Sequence, residues 1–240
     1  MKYKYELHCH TAETSECAAA LAKDTVEFYK SIGYSGLVIT DHYSFLTFGT
    51  DSAFKRQIDV DKYLKGYHCA LEAAGDDFTV LLGMEIRYFA TTNDYLVYGI
   101  DEDFLRKNGN MLFKGPRRFY KLVKESGAII VQAHPFRPYI HRANPKYIDG
   151  CEIFNGKDKD KDLNQKAQAW AKKEKFQIVT GGADYHRESQ RGNVSGIITE
   201  EKINTNDDLV RILRNGRYEI NMGSVSYTHL RAHETRGNLV

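Results

Sequence analysis

Short apolar runs alternate with amphipathic stretches along most of the chain. Strand-like runs fall at 5–8, 36–40, 79–84, 95–99, 128–132, 150–154, 177–180 and 195–199. Several, such as Leu37-Val38-Ile39 and Ile129-Ile130-Val131, are apolar throughout instead of alternating. That is the pattern of parallel strands covered on both faces. Helical patterns lie between them. Over 18–32, Leu21, Thr25, Phe28 and Ile32 recur at i, i+4, i+7 and i+11, one stripe of a helix that stops before Gly33. Further helices are predicted over 60–74, 116–125, 163–174 and 206–214. No internal repeat or Pro/Gly/Ser-rich linker divides the chain, and the alternating Lys/Asp run at 157–162 reads as a solvated loop. A βαβα alternation of this length predicts an α/β fold with a parallel sheet, either barrel or open. Both architectures place chemistry at the carboxyl ends of the strands.

Composition narrows this to a globular protein of 240 residues, with 42% hydrophobic and 28% charged residues, and favours one large domain. A formal net charge of +2 gives no broad electrostatic footprint for nucleic acid or an anionic membrane. No apolar run reaches the length of a membrane span, and the first residues lack the apolar core of a signal peptide, so a cytoplasmic location is expected. Cys9, Cys17, Cys69 and Cys151 form no CxxC pair and are expected to be reduced. The final segment, 225–240, resembles translated sequencing-adapter read-through of the kind found at the ends of metagenomic gene models. The native domain is therefore expected to span 1–224, and His229 and His233 are set aside.

The remaining histidines and several acids follow the apolar runs. The first run ends in His8-Cys9-His10, and side chains alternate along a strand, so both imidazoles share one face and can chelate one ion. The run 36–40 leads into Asp41-His42, 80–84 into Glu85, 128–133 into His134-Pro135, and 178–183 into Asp184-Tyr185-His186. Any single case is explained by a core histidine or a helix-capping carboxylate; five together are not. The set is imidazole and carboxylate, with no thiolate required, which suits Zn, Mn or Fe. It holds more ligands than one ion uses, so two or three ions are expected. Ions about 3.5–4 Å apart suit phosphate ester hydrolysis.

The series His8-Cys9-His10-Thr11, Thr40-Asp41-His42, Gly83-Met84-Glu85, Ala133-His134-Pro135 and Gly182-Ala183-Asp184-Tyr185-His186 resembles the PHP (polymerase and histidinol phosphatase) family, over nearly the whole chain to about residue 223. The resemblance implies a distorted (β/α)7 TIM-like barrel with a trinuclear centre that hydrolyses phosphoesters. It implies that His8, His10, Glu85 and Asp184 hold one ion, His134 with Glu85 a second, and His42 with His186 a third. Two positions depart from the pattern. The family's Asp or His after the first motif is best matched by Glu16, with Glu13 the alternative; and no His lies in 93–99, where Asp94 is the substitute.

Arg137 and Arg187, close after His134 and His186, are the candidate phosphate contacts, with Arg87 a weaker one. Glu152 or Asn155 could orient a ligand from behind. The basic cluster of Lys114, Arg117, Arg118, Lys121 and Lys124 reads first as a solvated helix face; His68 reads as structural. The expected activity is hydrolysis of a small phosphomonoester, histidinol-phosphatase-like, through an ion-bridging hydroxide, with His134 and Asp184 as catalytic residues. The alternatives are a nucleotide or oligonucleotide phosphodiesterase and a non-enzymatic scaffold with an incomplete metal site. Nucleic acid is a less favoured partner than a small phosphorylated substrate, and no membrane partner is expected. An amidohydrolase is disfavoured because no bridging Lys follows an appropriate strand.

Overall fold

The computed structural model describes residues 1–158, 162–223 and 226–228. In chain order the elements are β1 (Tyr3–Cys9), α1 (Ala22–Ser31), β2 (Gly36–Ile39), β3 (His42–Tyr43), α2 (Phe45–Ala53), α3 (Val60–Tyr63), α4 (Lys65–Ala74), β4 (Thr79–Arg87), β5 (Asp94–Tyr98) and α5 (Glu102–Asn108). They continue with α6 (Gly115–Glu125), β6 (Ile129–Gln132), β7 (Gly150–Asn155), α7 (Leu163–Glu174), β8 (Ile178–Gly182), β9 (Gly196–Thr199), α8 (Asn206–Asn215), β10 (Glu219–Asn221) and β11 (Ser226–Thr228).

The sheet runs β1-β2-β4-β5-β6-β7-β8 and curls into a nearly closed barrel. The last gap is bridged just beyond β8, where the His10 amide donates to the Tyr185 carbonyl (2.9 Å) and the Tyr185 amide to the His8 carbonyl (3.2 Å), beside a parallel bridge between Cys9 and Tyr185. The amino-terminal half of β1 pairs instead with β9, which carries β10 and then β11, all antiparallel. The expected parallel sheet therefore holds for β1-β2-β4 and β6-β7-β8 but not throughout. β5 is antiparallel to both neighbours, because residues 88–93 turn back as a hairpin with no crossover helix. That reversal puts Asp94, the first residue of β5, at the barrel end where the parallel strands finish, paired across the ladder with Arg87.

Apolar strand residues such as Leu7, Met84, Leu96, Val131 and Ile153 fill the main core. A second cluster, with Val26, Tyr29 and Ala70 against Leu37, Ile39 and Val80, seats α1 and α4 on the outside of β1, β2 and β4. The helix expected over 18–32 begins at Ala22, and that over 60–74 is two helices meeting at Leu64. The short helices α2 and α5 lack a long apolar stripe and owe their starts to caps: Ser44 accepts from the Thr47 amide, and Asp101 from the Phe104 amide at 2.7 Å. The segment set aside at 225–240 contributes Ser226–Thr228 to β11; His229 and His233 lie outside the described residues.

Candidate metal centre

The carboxyl-terminal ends of the strands deliver their titratable residues to one point. His8 and His10 face inward from β1, while Cys9 between them packs in the outer cluster, as strand alternation requires. β3 pairs with β4 so that His42 stands opposite Glu85. His134 and Asp184 follow β6 and β8 with φ of 27° and 53°, left-handed backbone that a non-glycine residue adopts at a cost. Glu85 is the hub: its Oε1 lies 3.0 Å from His134 Nε2 and 3.3 Å from His8 Nε2, its Oε2 2.9 Å from His42 Nδ1 and 3.4 Å from His10 Nε2. Asp184 Oδ1 is the second hub, 3.2 Å from His186 Nδ1, 3.5 Å from His10 Nε2 and 3.6 Å from His8 Nε2.

Among the described residues four donor groups result, each with ligand atoms within 4.8 Å of one another: His8-His10-Glu85, His8-His134-Asp184, Glu85-Asp94-His134 and His10-His42-His186. The seven residues His8, His10, His42, Glu85, His134, Asp184 and His186 are thus brought together, and Asp94 joins them. Asp94 is also held by Arg87 through two hydrogen bonds of 2.6 Å. Arg87, the weaker candidate phosphate contact, is thus engaged by a member of the donor cluster.

The groups fit divalent cations. His8 Nε2 and His10 Nε2 are sealed from water and make no hydrogen bond, a rare condition for buried nitrogen unless something else occupies them. Burial works against charge on Glu85, yet His8, His42 and His134 hold it well below the usual carboxylate range. Asp184 is likewise depressed against its burial, by the His8, His10 and His186 imidazoles close to it and by Arg137. Burial would neutralise His8, but Glu152, Glu85 and Asp184 raise its pKa well above normal. His10 is pushed well below normal, by burial and by His186 and His42. A pocket that ionises its acids and accumulates imidazole nitrogens around them is built for positive charge.

A layer of buried polar residues behind the donors fixes their aim. Glu152 on β7 meets His8 Nδ1 at 2.9 Å with one oxygen, and with the other accepts from the His134 amide and the Asn155 side chain, each at 2.9 Å. Asp41 accepts from the Thr11 amide, the Thr11 hydroxyl and the Ser15 hydroxyl at 2.6–2.7 Å, which fastens the loop after β1. Glu6 accepts from the His8 and Ala183 amides and the Tyr29 hydroxyl, and its complete burial pushes its pKa up to about 7.

The remaining expected residues are placed as follows. Arg137 lines the cleft, but its guanidinium donates to Asp158 (2.9 Å) and Asn155 (3.1 Å) and sits 2.8 Å from Asp184 Oδ2. Arg187 is exposed on the cleft wall, as is Glu16. Glu13 caps α1, accepting from the Ala22 amide at 3.0 and 3.1 Å. His68 pairs with Glu102 on the surface.

The Lys/Asp run at 157–162 does not start as a solvated loop: Asp158 is buried against Arg137, and Lys157 Nζ reaches within 3.6 Å of Asp184 Oδ2. Its residues 159–161 lie outside the described residues. Lys157, two residues past β7, lines the cleft and was not among the expected site residues. Cys17 was also missed. It lines the cleft with His186 and His42, whose influence outweighs burial and brings its pKa down to about 6. Neither residue belongs to an apolar run, so periodicity carries no signal for them.

The donors floor a cleft of about 470 Å³ whose wall also carries Ser44, Leu46, Thr47, Lys157 and Arg187. That is the size range of small-molecule sites.

No family model matches the sequence, and no curated protein matches it. Solved structures do resemble the fold. A two-domain protein of Bacteroides vulgatus containing a predicted PHP-like metal-dependent phosphoesterase superposes with a TM-score of 0.65 at 14% identity, over 94% of this chain and 66% of that one. PsfC of Pseudomonas syringae gives 0.64 at 16%, over 87% and 88%. A lesion-specific endonuclease of Pyrococcus furiosus gives 0.58 at 13%, over 92% and 58%. The chain thus spans just under two thirds of the first of these proteins. The likeness establishes a shared barrel architecture.

Proposed function

We propose that this chain is a metal-dependent phosphoesterase holding two or three divalent ions, of Zn, Mn or Fe type, on His8, His10, His42, Glu85, His134, Asp184 and His186. The supporting observation is the convergence, among the described residues, of four donor groups around Glu85 and Asp184, with His8 Nε2 and His10 Nε2 buried and without hydrogen bonds. Ions bound there would acidify water and draw charge from phosphoryl oxygens.

The chain's own residues supply the rest. Lys157 and Arg187 rim the cleft as cations for a phosphate dianion. Arg137 holds Asp184 in its left-handed position, so its role toward substrate runs through that carboxylate. His134 and Asp184 remain the residues proposed to stand closest to the chemistry. The cleft volume and the near-neutral net charge favour a small phosphomonoester over a polynucleotide. Among the described residues no helix is long and apolar enough to cross a membrane. We place the reaction in the cytoplasm, on the strength of four unbonded cysteines.

The test combines metal analysis of the purified protein with phosphate release from a panel of phosphomonoesters and oligonucleotides. His134→Ala and Asp184→Ala are expected to abolish turnover in folded protein. Wild-type activity in either variant, or less than one ion per chain with no release under added Mn or Zn, overturns the reading. Release from oligonucleotides alone would mark a phosphodiesterase.

A further inference from the structure

Large aromatic side chains left together in water mark a surface that binds something. Phe54 is 62% exposed, Phe113 48% and Phe89 39%. They stand just past α2, just before α6 and just past β4, yet with the half-buried Phe45 they form one cluster. Ring centroids of neighbouring members lie 5.0–5.8 Å apart.

The cluster adjoins the cleft at two points of the chain. Leu46, 63% exposed, lines the cleft and directly follows Phe45. Phe89 lies in the turn between Arg87 and Asp94, both of which line the cleft. The charge around the rings is one-sided. The segments that carry them, 44–58, 88–93 and 109–118, hold Lys55, Arg56, Lys114, Arg117 and Arg118 against one acid, Asp51. Among the described residues none of these five cations appears in an ion pair, whereas Arg106, Lys107 and Lys124 nearby in sequence are each paired. An apolar aromatic face with a cationic surround, continuous with a cleft of metal donors, complements a ligand that is flat at one end and anionic at the other.

We propose that Phe54, Phe89 and Phe113 form a subsite that stacks on the leaving group of the substrate, selecting phosphomonoesters whose alcohol carries a flat aromatic ring without positive charge. This rests on the phosphoesterase reading above. The phosphate lies among the donors around Glu85 and Asp184, and the ring reaches past Leu46 to the phenylalanines. The surrounding cations disfavour an alcohol that brings an ammonium group with its ring.

The experiment measures phosphate release by the full chain, supplied with Mn or Zn, from adenosine 5′-monophosphate, ribose 5-phosphate, histidinol phosphate and glycerol phosphate. The first is expected to exceed the second, which lacks only the base, at least about tenfold in kcat/KM. Phe89→Ala and Phe113→Ala are each expected to raise KM for the adenosine ester about fivefold or more, with kcat little changed and ribose phosphate turnover unaltered. Tyr139→Ala, 86% exposed on the loop after β6, is expected to change neither. Equal turnover of adenosine and ribose esters, a preference that both phenylalanine variants keep, or a preference for histidinol phosphate overturns the proposal and leaves the phosphoesterase reading intact. A dimer that Phe54→Ala dissolves, or binding to phosphatidylglycerol vesicles that it abolishes, gives the face to a second copy or a lipid surface and also overturns it. No release from any of the four esters overturns both readings.

Discussion

His8 contacts acids through both of its ring nitrogens. Nε2 faces Glu85 and Asp184, and Nδ1 lies 2.9 Å from Glu152. A carboxylate behind an imidazole fixes which nitrogen carries the proton and sharpens the other as a donor. Glu152 does this for His8 and at the same time anchors the His134 amide, so one residue on β7 aims ligands from β1 and from the end of β6. Glu152→Gln keeps the size and one acceptor but removes the charge. Metal affinity is expected to fall by roughly 10- to 100-fold, with the fold retained, as read by chelator competition. Unchanged affinity would mean that Glu152 serves only the backbone of β6 and β7. Arg137 makes the complementary point. Its position after His134 suggested a phosphate ligand, but position along a chain does not reveal that Asp158 and Asp184 engage its guanidinium.

At the scale of elements, the site was legible wherever an apolar strand runs straight into a titratable residue: β1 into His8 and His10, β4 into Glu85, β8 into Asp184. A strand's length and its buried face set where its end lies, so sequence order translates directly into position. The reading failed where position depends on something other than a strand's end. Asp94 was legible only as a substitute, since nothing in 93–99 announces that β5 runs backwards. Cys17 and Lys157 sit on loops fixed by long-range hydrogen bonds and ion pairs, which leave no period in the sequence. Glycines at strand contacts were equally silent. At Gly182 on β8 an added Cβ would collide with His8 Cβ and crowd Glu152, so β8 approaches β1 only because that position has no side chain. Gly182→Ala is expected to destabilise the fold by ~1–3 kcal/mol and to weaken metal binding by displacing His8. Gly192→Ala, with nothing within 4 Å of the new methyl, is the control expected to leave both the melting temperature and metal affinity in place.

For the whole molecule, the barrel packs many like-signed and opposite-signed groups at one end, and their balance makes stability depend on pH and on metal. In the metal-free protein, His8 and His42 have pKa values raised well above 6.5, each against burial, by the surrounding carboxylates. Groups with raised pKa values contribute stability that is full below the unfolded value and lost as pH rises through the folded one. Glu85 and Asp184 are depressed well below 4.5 and 3.8, and their contribution is present above those values and lost as pH falls through the folded ones. The metal-free chain is therefore best supported between these limits, in mildly acidic solution. It weakens toward alkaline pH, where the imidazolium protons leave and the buried carboxylates face one another without cations. Divalent ions on the same donors replace those protons and do not leave as pH rises; acid displaces them instead. Chelation should accordingly lower the melting temperature, and the gap between loaded and stripped protein should widen from about pH 6 to about pH 9. With metal at about 100 times its dissociation constant, the stabilisation is ~2.7 kcal/mol, a shift of roughly 5–10 °C for a chain of this size. Thermal melts with and without chelator across that range measure it. A gap that is absent, or that narrows toward alkaline pH, would mean that the buried acids and imidazoles balance one another as a structural ion-pair network with no place for a metal.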